Sequence, residues 1–290
     1  MNLVRLLPKL IGFLFLLMAV MACEEKKNSL KLNLDDDEDN LKAFLKMRVS
    51  LDENEETVYW WKGKVYSFLP QQRGKHLFDF EGFNIGRLKK EGENYQVLTK
   101  EASFYLDPKN GEILESWYNP LVKDTVDVIH VWNNPVNMSF KTGSYLFPYT
   151  QLGNDRICFN ADILLAYPSP LSRAAFPKNS KSDTYQSAEL FQFFVDKQAL
   201  DQADKASAYA EISWTRVGDW LPWMEMGDQE GYLIYHCRGY KLENGFDDLP
   251  DYIKAYVAKN DERYGKAPTE FTKPNETSWT YFKKIQTVNQ

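Results

Sequence analysis

From about residue 48 onward the chain is a succession of short runs rich in aromatic and β-branched residues, broken repeatedly by glycine, proline, asparagine or aspartate. Such runs read as strands, and the gaps between them are too short for crossover helices. An antiparallel meander follows, and parallel βαβ winding does not. Three hairpins are expected. The first joins residues 57–61 to 64–68 through Lys62 and Gly63. The second joins 102–106 to 112–117 through a turn that ends in Gly111, and the third joins 127–132 to 136–140 around Asn133, Asn134 and Pro135. Further strands are expected at 77–83, 95–99, 157–167, 187–195, 208–216, 232–241 and 278–283. No internal repeat is visible, which disfavours a propeller or solenoid.

Alternation within the strands says more. In 208–216, Glu211, Ser213 and Thr215 share one face, and Ala210, Ile212, Trp214 and Arg216 share the other. The tryptophan-bearing face reads as interior. Arg216 then ends a buried stripe, where a charge is costly unless it is paired or binds something. In 232–241, Ile234, His236 and Arg238 alternate with Leu233, Tyr235 and Cys237, and the periodicity leaves open which set faces inward. One C-terminal helix is expected, with Asp248 as cap, Pro250 in the first turn, and Tyr252, Ile253, Tyr256 and Val257 as its apolar face. A shorter helical turn is expected at 201–206.

The N-terminus has a different character. Arg5 and Lys9 precede an apolar run over 10–20, too short to cross a bilayer comfortably but long enough for the core of a signal peptide. The run ends Val20-Met21-Ala22-Cys23, which resembles the lipobox of bacterial lipoproteins. The resemblance implies removal of residues 1–22 and lipidation of Cys23, hence an outer-membrane lipoprotein of the cell envelope, facing the periplasm or the surface. Residues 23–44 include five consecutive acids, Asp35 to Asp39, and read as an acidic flexible tether; 45–290 read as a single β-rich domain. Removing Arg5 and Lys9 takes the basic residues from 35 to 33 against 41 acidic ones, a formal charge of −8. With no basic patch, nucleic acid is not expected as a partner.

Eight Trp, 17 Tyr and 18 Phe make a β-rich body with either a thick core or an apolar cavity. Cys158 and Cys237 are the cysteines that remain, and their pairing is open. No His, Cys and acid cluster has metal-ligand spacing, and no nucleophile elbow, phosphate loop or dinucleotide fingerprint occurs, so neither metal nor cofactor is expected. Two segments concentrate chemistry. In 78–87, Glu81, Asn84 and Arg87 alternate with aromatics; in 214–227, Trp214, Arg216, Trp220, Trp223 and Met224 crowd the approach to His236. Apolar loops at a barrel mouth line ligand entrances, and they also plug barrel ends. Glu81 with Arg87 or Arg216 fits a structural ion pair as well as a site, and each histidine fits a scaffold role.

These segments, together with 58–63, are similar to a bacterial family catalogued as domain of unknown function 1838, over about residues 45–284. The resemblance implies an exported β-rich domain and brings no activity with it. The expected fold is a single antiparallel, lipocalin-like barrel meander with a short C-terminal helix. The expected function is binding of an apolar or aromatic small molecule. Arg216 would meet a polar group, and Trp214, Trp220, Trp223 and Met224 would supply walls, beside His236, Glu81, Asn84 and Arg87. The alternatives are a cofactor-free isomerase, lyase or hydrolase with His236 or Glu81 as base and Arg216 as oxyanion stabiliser, and a surface interaction or structural lipoprotein.

Overall fold

Two antiparallel meanders share one sheet. The computed structural model describes residues 31–288, so the expected signal peptide and the expected lipidation site at Cys23 lie outside the described residues. The first meander is β1 (Thr57–Phe68), β2 (Lys75–Glu91) and β3 (Asn94–Leu106). After a small ribbon of β4 (Ser116–Asn119) and β5 (Asp124–Asp127), two short strands, β6 (Val131–Asn133) and β7 (Met138–Lys141), both pair with β3. The second meander is β8 (Tyr149–Leu152), β9 (Arg156–Pro168), β10 (Thr184–Asp196), β11 (Ala210–Gly218) and β12 (Tyr232–Lys241). Pairing of β12 with β1 joins them in the order β6-β3-β2-β1-β12-β11-β10-β9-β8.

The sheet is open: among the described residues, no ladder joins the β8 edge to the β6 and β7 edge, so strand pairing does not complete the expected barrel. It is nevertheless strongly curled. β7 and β9 lie seven strand steps apart, roughly 34 Å in a flat sheet. Yet the Phe44 ring meets Phe140 of β7 at 6.2 Å and Phe159 of β9 at 6.0 Å. Phe44 belongs to helix α1 (Asp37–Arg48), which fills the seam between the two edges.

Residues 37–44, expected in a flexible tether, are therefore part of the domain. The acidic run that reads as a solvated tether is a helix start. The Asp36 carboxylate accepts from the Glu38 and Asp39 amides, and Asp37, Glu38 and Asp39 sit at the positive end of the helix dipole. Leu41, Ala43, Phe44, Leu45 and Met47 then go into the core. At the other end, Lys241 Nζ donates to the Lys46 and Val49 carbonyls at 3.1 and 2.8 Å and so satisfies the end of the helix, while burial and the nearby Arg48 pull its pKa well below the ordinary lysine value.

Other expectations are corrected in the same way. Lys62-Gly63 is not a turn, because 57–68 is one strand. A Cβ on Gly63 would come within 2.2 Å of the His236 carbonyl oxygen, so this glycine marks a close approach of strands. The segments around 133–135 do not form a hairpin, because β6 and β7 follow each other along β3. Residues 278–283 are the start of helix α4 (Ser278–Val288), not a strand. Thr277 and Thr280 cap it reciprocally, each hydroxyl accepting from the other's amide, and Trp279 and Phe282 are buried on one helical face. The short helix lies earlier than 201–206, at α2 (Lys197–Asp201). The expected C-terminal helix is α3 (Asp251–Asn260), with Ile253 and Val257 buried, although Asp248 binds Asn244 and does not cap it.

Each face of the first meander is covered. Tyr59, Trp61, Phe78, Phe80 and Tyr105 point to the concave side and join α1 and the second meander in the main core. Val58, Phe83, Ile85 and Phe104 point outward into a second core beneath α3. Cys158 and Cys237 are buried and unpaired.

Candidate functional site

The concave side carries charges that an apolar core does not need. Strand alternation places Ala210, Ile212, Trp214 and Arg216 inward, as their burial shows. Arg216 is 7% exposed and its Nε stands 3.5 Å from Glu189 of β10. It donates to the Tyr185 hydroxyl at 3.1 Å, and its guanidinium lies 5.1 Å from the Tyr235 ring and 5.7 Å from the Trp279 ring. Burial opposes the charge, but Tyr185, Tyr235 and Glu189 together hold the guanidinium firmly protonated. Burial raises the Glu189 carboxyl, while Arg216 and the Trp214 indole N–H work against the rise. That indole is aimed at Glu189 without closing a well-formed hydrogen bond.

Across the concavity stands Glu101 of β3, beside Asn84 of β2 in the ladder. Its carboxylate accepts from Asn133 Nδ2 at 2.6 Å. Asn84 accepts in turn from Arg48, the last residue of α1, at 2.7 Å, and the Arg48 guanidinium lies over the Tyr59 ring. Burial pushes the Glu101 carboxyl up to about 7 and Glu189 adds to the rise, against the Asn133 hydrogen bond and the guanidinium groups of Arg48 and Arg216. Two arginines and two glutamates from four elements thus face one space. The Glu189 side chain keeps 23% of its surface accessible, and Arg48, Glu101, Phe191 and Trp214 are only half-buried although all stand on the inner side.

The space has aromatic walls. Trp214 stacks on Phe191 at 5.8 Å and meets Trp61 at 6.2 Å and Phe80 at 6.1 Å; the Tyr105 and Tyr235 hydroxyls touch at 3.1 Å. Trp61 is flanked in the ladders by Gly82 and Gly239, which leave its indole room. Its indole N–H and that of Trp223 have no hydrogen-bond partner, although both residues are buried. One end of the space is stopped by α1. The other is stopped by a 3-10 turn at Pro222–Met224, with Trp117 of the ribbon packed on Phe78 at 4.8 Å and on Trp223 at 6.3 Å.

The sequence-derived residues divide accordingly. Arg216 and Trp214 face the space, and Asn84 reaches it through Arg48. Trp223 and Met224 are the plug at its end, and Trp220 is buried with its N–H on the Gln229 carbonyl. His236 is corrected outright: it is exposed on the convex face between Lys64 and Thr215, because Leu233, Tyr235 and Cys237 take the inward set. Tyr235 stands where His236 was expected. Glu81 also points outward, accepting from the Trp60 indole at 2.8 Å, and Arg87 pairs with Glu56, which also holds the Ala267 amide. Neither meets Arg216, since even and odd positions of β2 face opposite ways. Sequence reasoning missed Glu189, Glu101, Arg48, Tyr185, Tyr235 and Trp61. A signal existed for Glu189, an acid in phase with Phe191, Phe193 and Val195. Among the described residues, no group of three His, Cys, Asp or Glu side chains is placed to hold a metal ion.

A family described as "Protein of unknown function (DUF1838)" matches residues 54–286. The chain belongs to the DUF1838 family. Comparison with curated proteins gave no match. The DUF1838 region takes in all twelve strands and α3, so Glu101, Glu189 and Arg216 lie within it, while α1 with Phe44 and Arg48 precedes it.

The Glu101 environment makes a pH prediction. Its folded pKa lies above the ordinary carboxylate value, so the folded state holds a proton that the unfolded chain has released. Its contribution is intact below the unfolded pKa and is lost as pH rises towards about 7. His130, whose ring burial pushes down to about 4, acts oppositely, costing stability as pH falls below its unfolded value. Comparing the wild type with Glu101→Gln cancels the histidine. Urea unfolding at pH 5 and pH 7.5 is expected to show the variant gaining on the wild type by about 2 kcal/mol at the higher pH. An unchanged difference would mean that Glu101 stays ionised throughout.

Proposed function

We propose that this DUF1838 protein binds a small molecule with an apolar or aromatic body and one polar end on the concave side of its sheet. The proposed use of the fold is lipocalin-like, with α1 and α4 standing in for the strand pairing that would close a barrel. One observation carries the reading. Arg216, Glu189, Glu101 and Arg48 turn to the same inner side of the sheet as Trp61, Phe80, Phe191 and Trp214, and Glu189 keeps 23% of its side chain accessible there. A scaffold does not need such a cluster, because apolar residues of the same volume often stabilise as well or better. Pockets that orient a ligand have this composition: mostly aromatic, with a few convergent polar groups. The unpartnered indole N–H groups of Trp61 and Trp223 supply donors that a ligand would satisfy.

We propose further that the chain is exported and held in the cell envelope by lipid on Cys23. Replacement of Cys23 by Ala is expected to abolish incorporation of labelled palmitate and to leave the precursor unprocessed; labelling that persists would sink the anchor.

The pocket is tested by native mass spectrometry of residues 24–290, which leave out the expected lipid site at Cys23 and retain every described residue. Material released by organic solvent is expected from the wild type and is expected to be lost in Trp214→Ala. Retention by Trp214→Ala would place the bound molecule elsewhere.

A further inference from the structure

The charges on the concave side are not paired off one to one. Arg48, Arg216 and Lys241 stand on the inner side against Glu101 and Glu189. Lys241 is spent on the Lys46 and Val49 carbonyls and the Ser207 hydroxyl at the end of α1. Of the remaining four, Glu189 is committed to Arg216 at 3.5 Å. Glu101 has no such cation: it holds Asn133 at 2.6 Å, and Arg48 spends one donor on Asn84. The groups that face Glu101 are Arg48 from α1, Glu189 from β10, Arg216 from β11, Tyr105 from its own strand and Tyr264 from the turn after α3. Glu189 is thus a like charge across the space, and it disfavours ionised Glu101.

We propose that the ligand is an apolar or aromatic monocarboxylate whose head lies between Arg48 and Arg216, and that Glu101 takes up a proton as it binds. This rests on the reading of the concave side as a pocket. An anionic head placed there gains two guanidinium groups that offer forked donors. It also brings a second negative charge close to Glu101, and protonation removes that repulsion. Glu101 in its neutral form then donates its hydrogen to the ligand oxygen, while its other oxygen keeps Asn133. Bound as a neutral isostere, a primary amide meets the same aromatic walls but neither uses the guanidinium charge nor drives the proton. Burial, with Glu189 across the sheet, holds the free Glu101 carboxyl at about 7, so this uptake falls within the neutral range.

The test compares 2-naphthoate with 2-naphthamide on residues 24–290 by fluorescence titration and by calorimetry in two buffers of different ionisation enthalpy. Naphthoate stays anionic from pH 6 to pH 8, so any pH dependence comes from the protein. Naphthoate is expected to bind at least tenfold more tightly than naphthamide at pH 6. Its affinity is expected to fall about tenfold from pH 6 to pH 8, as the protonated fraction of Glu101 falls. At pH 8 the buffer pair is expected to report uptake of close to one proton. Glu101→Gln is expected to keep the tight binding and to lose both the pH dependence and the uptake. Equal binding of acid and amide, or naphthoate binding without proton uptake, would overturn the monocarboxylate inference and leave the pocket standing. If neither probe binds, the inference falls; the pocket falls with it only if native mass spectrometry also finds a bare chain.

Discussion

Phe44→Ala is expected to cost about 3–5 kcal/mol of stability, the range for truncating a fully buried aromatic side chain. The ring is 2% exposed, stacks on Phe147 at 3.5 Å, and makes edge contacts with Phe140, Phe159 and Phe193 at 6.0–6.2 Å. Those partners come from β7, β9, β10 and the segment before β8, so one ring ties together both edges of an open sheet. Its removal leaves a cavity that the seam can fill only by shifting α1, and α1 is anchored by Asn40, whose side chain bonds the Phe147 backbone at both its amide and its carbonyl. For a domain of this size, the loss corresponds to a fall in Tm of roughly 10 °C. Urea unfolding followed by tryptophan fluorescence checks it. Leu164→Ser, at a site 74% exposed on the convex face, is the control and is expected to change stability by no more than about 0.5 kcal/mol. A Phe44→Ala loss as small as that of the control would mean that α1 does not hold the seam.

Arg216→Met is expected to be comparably severe, about 3–5 kcal/mol near pH 8, because it strands the Glu189 carboxylate inside the fold. The linkage gives this prediction a signature that a cavity lacks. Without its cation, Glu189 is raised further above its unfolded pKa, so the variant's deficit is present above that folded value and shrinks as pH falls towards 5. Glu189→Gln alone leaves Arg216 with the Tyr185 hydroxyl and two aromatic rings and is expected to cost less. The double variant, with no charge left unpaired, is expected to be more stable than Arg216→Met alone. A double-mutant cycle between the two positions reads the coupling, expected at about 1–3 kcal/mol. A pH-independent Arg216→Met deficit that Glu189→Gln does not relieve would assign Arg216 a packing role only.

Both predictions turn on how far a one-dimensional pattern reaches. Alternation along 208–216 put Arg216 and Trp214 inside, and they are inside, because a strand has only two faces and the tryptophan stripe identifies the buried one. The same rule separated Glu81 and Arg87 from Asn84, a split that the mixed composition of 78–87 hid. In 232–241 both sets carry apolar residues, so His236 and Tyr235 were equal candidates until β12 was placed between β1 and β11. The acidic run 35–39 reads as solvated by composition, and it becomes a helix cap only because the following residues find a core to enter.

By itself, then, the sequence determined what local chemistry can determine: antiparallel strands, the inward set of β11 and the helix at α3. Each follows from neighbours within a few residues, where period, cap and turn preferences act. The tertiary structure alone decided that the sheet curls without closing, that α1 fills its seam, and that Glu101, Glu189, Arg48 and Arg216 meet. Those four are contributed by elements distant in sequence, and their meeting depends on curvature and strand order, which no local pattern encodes.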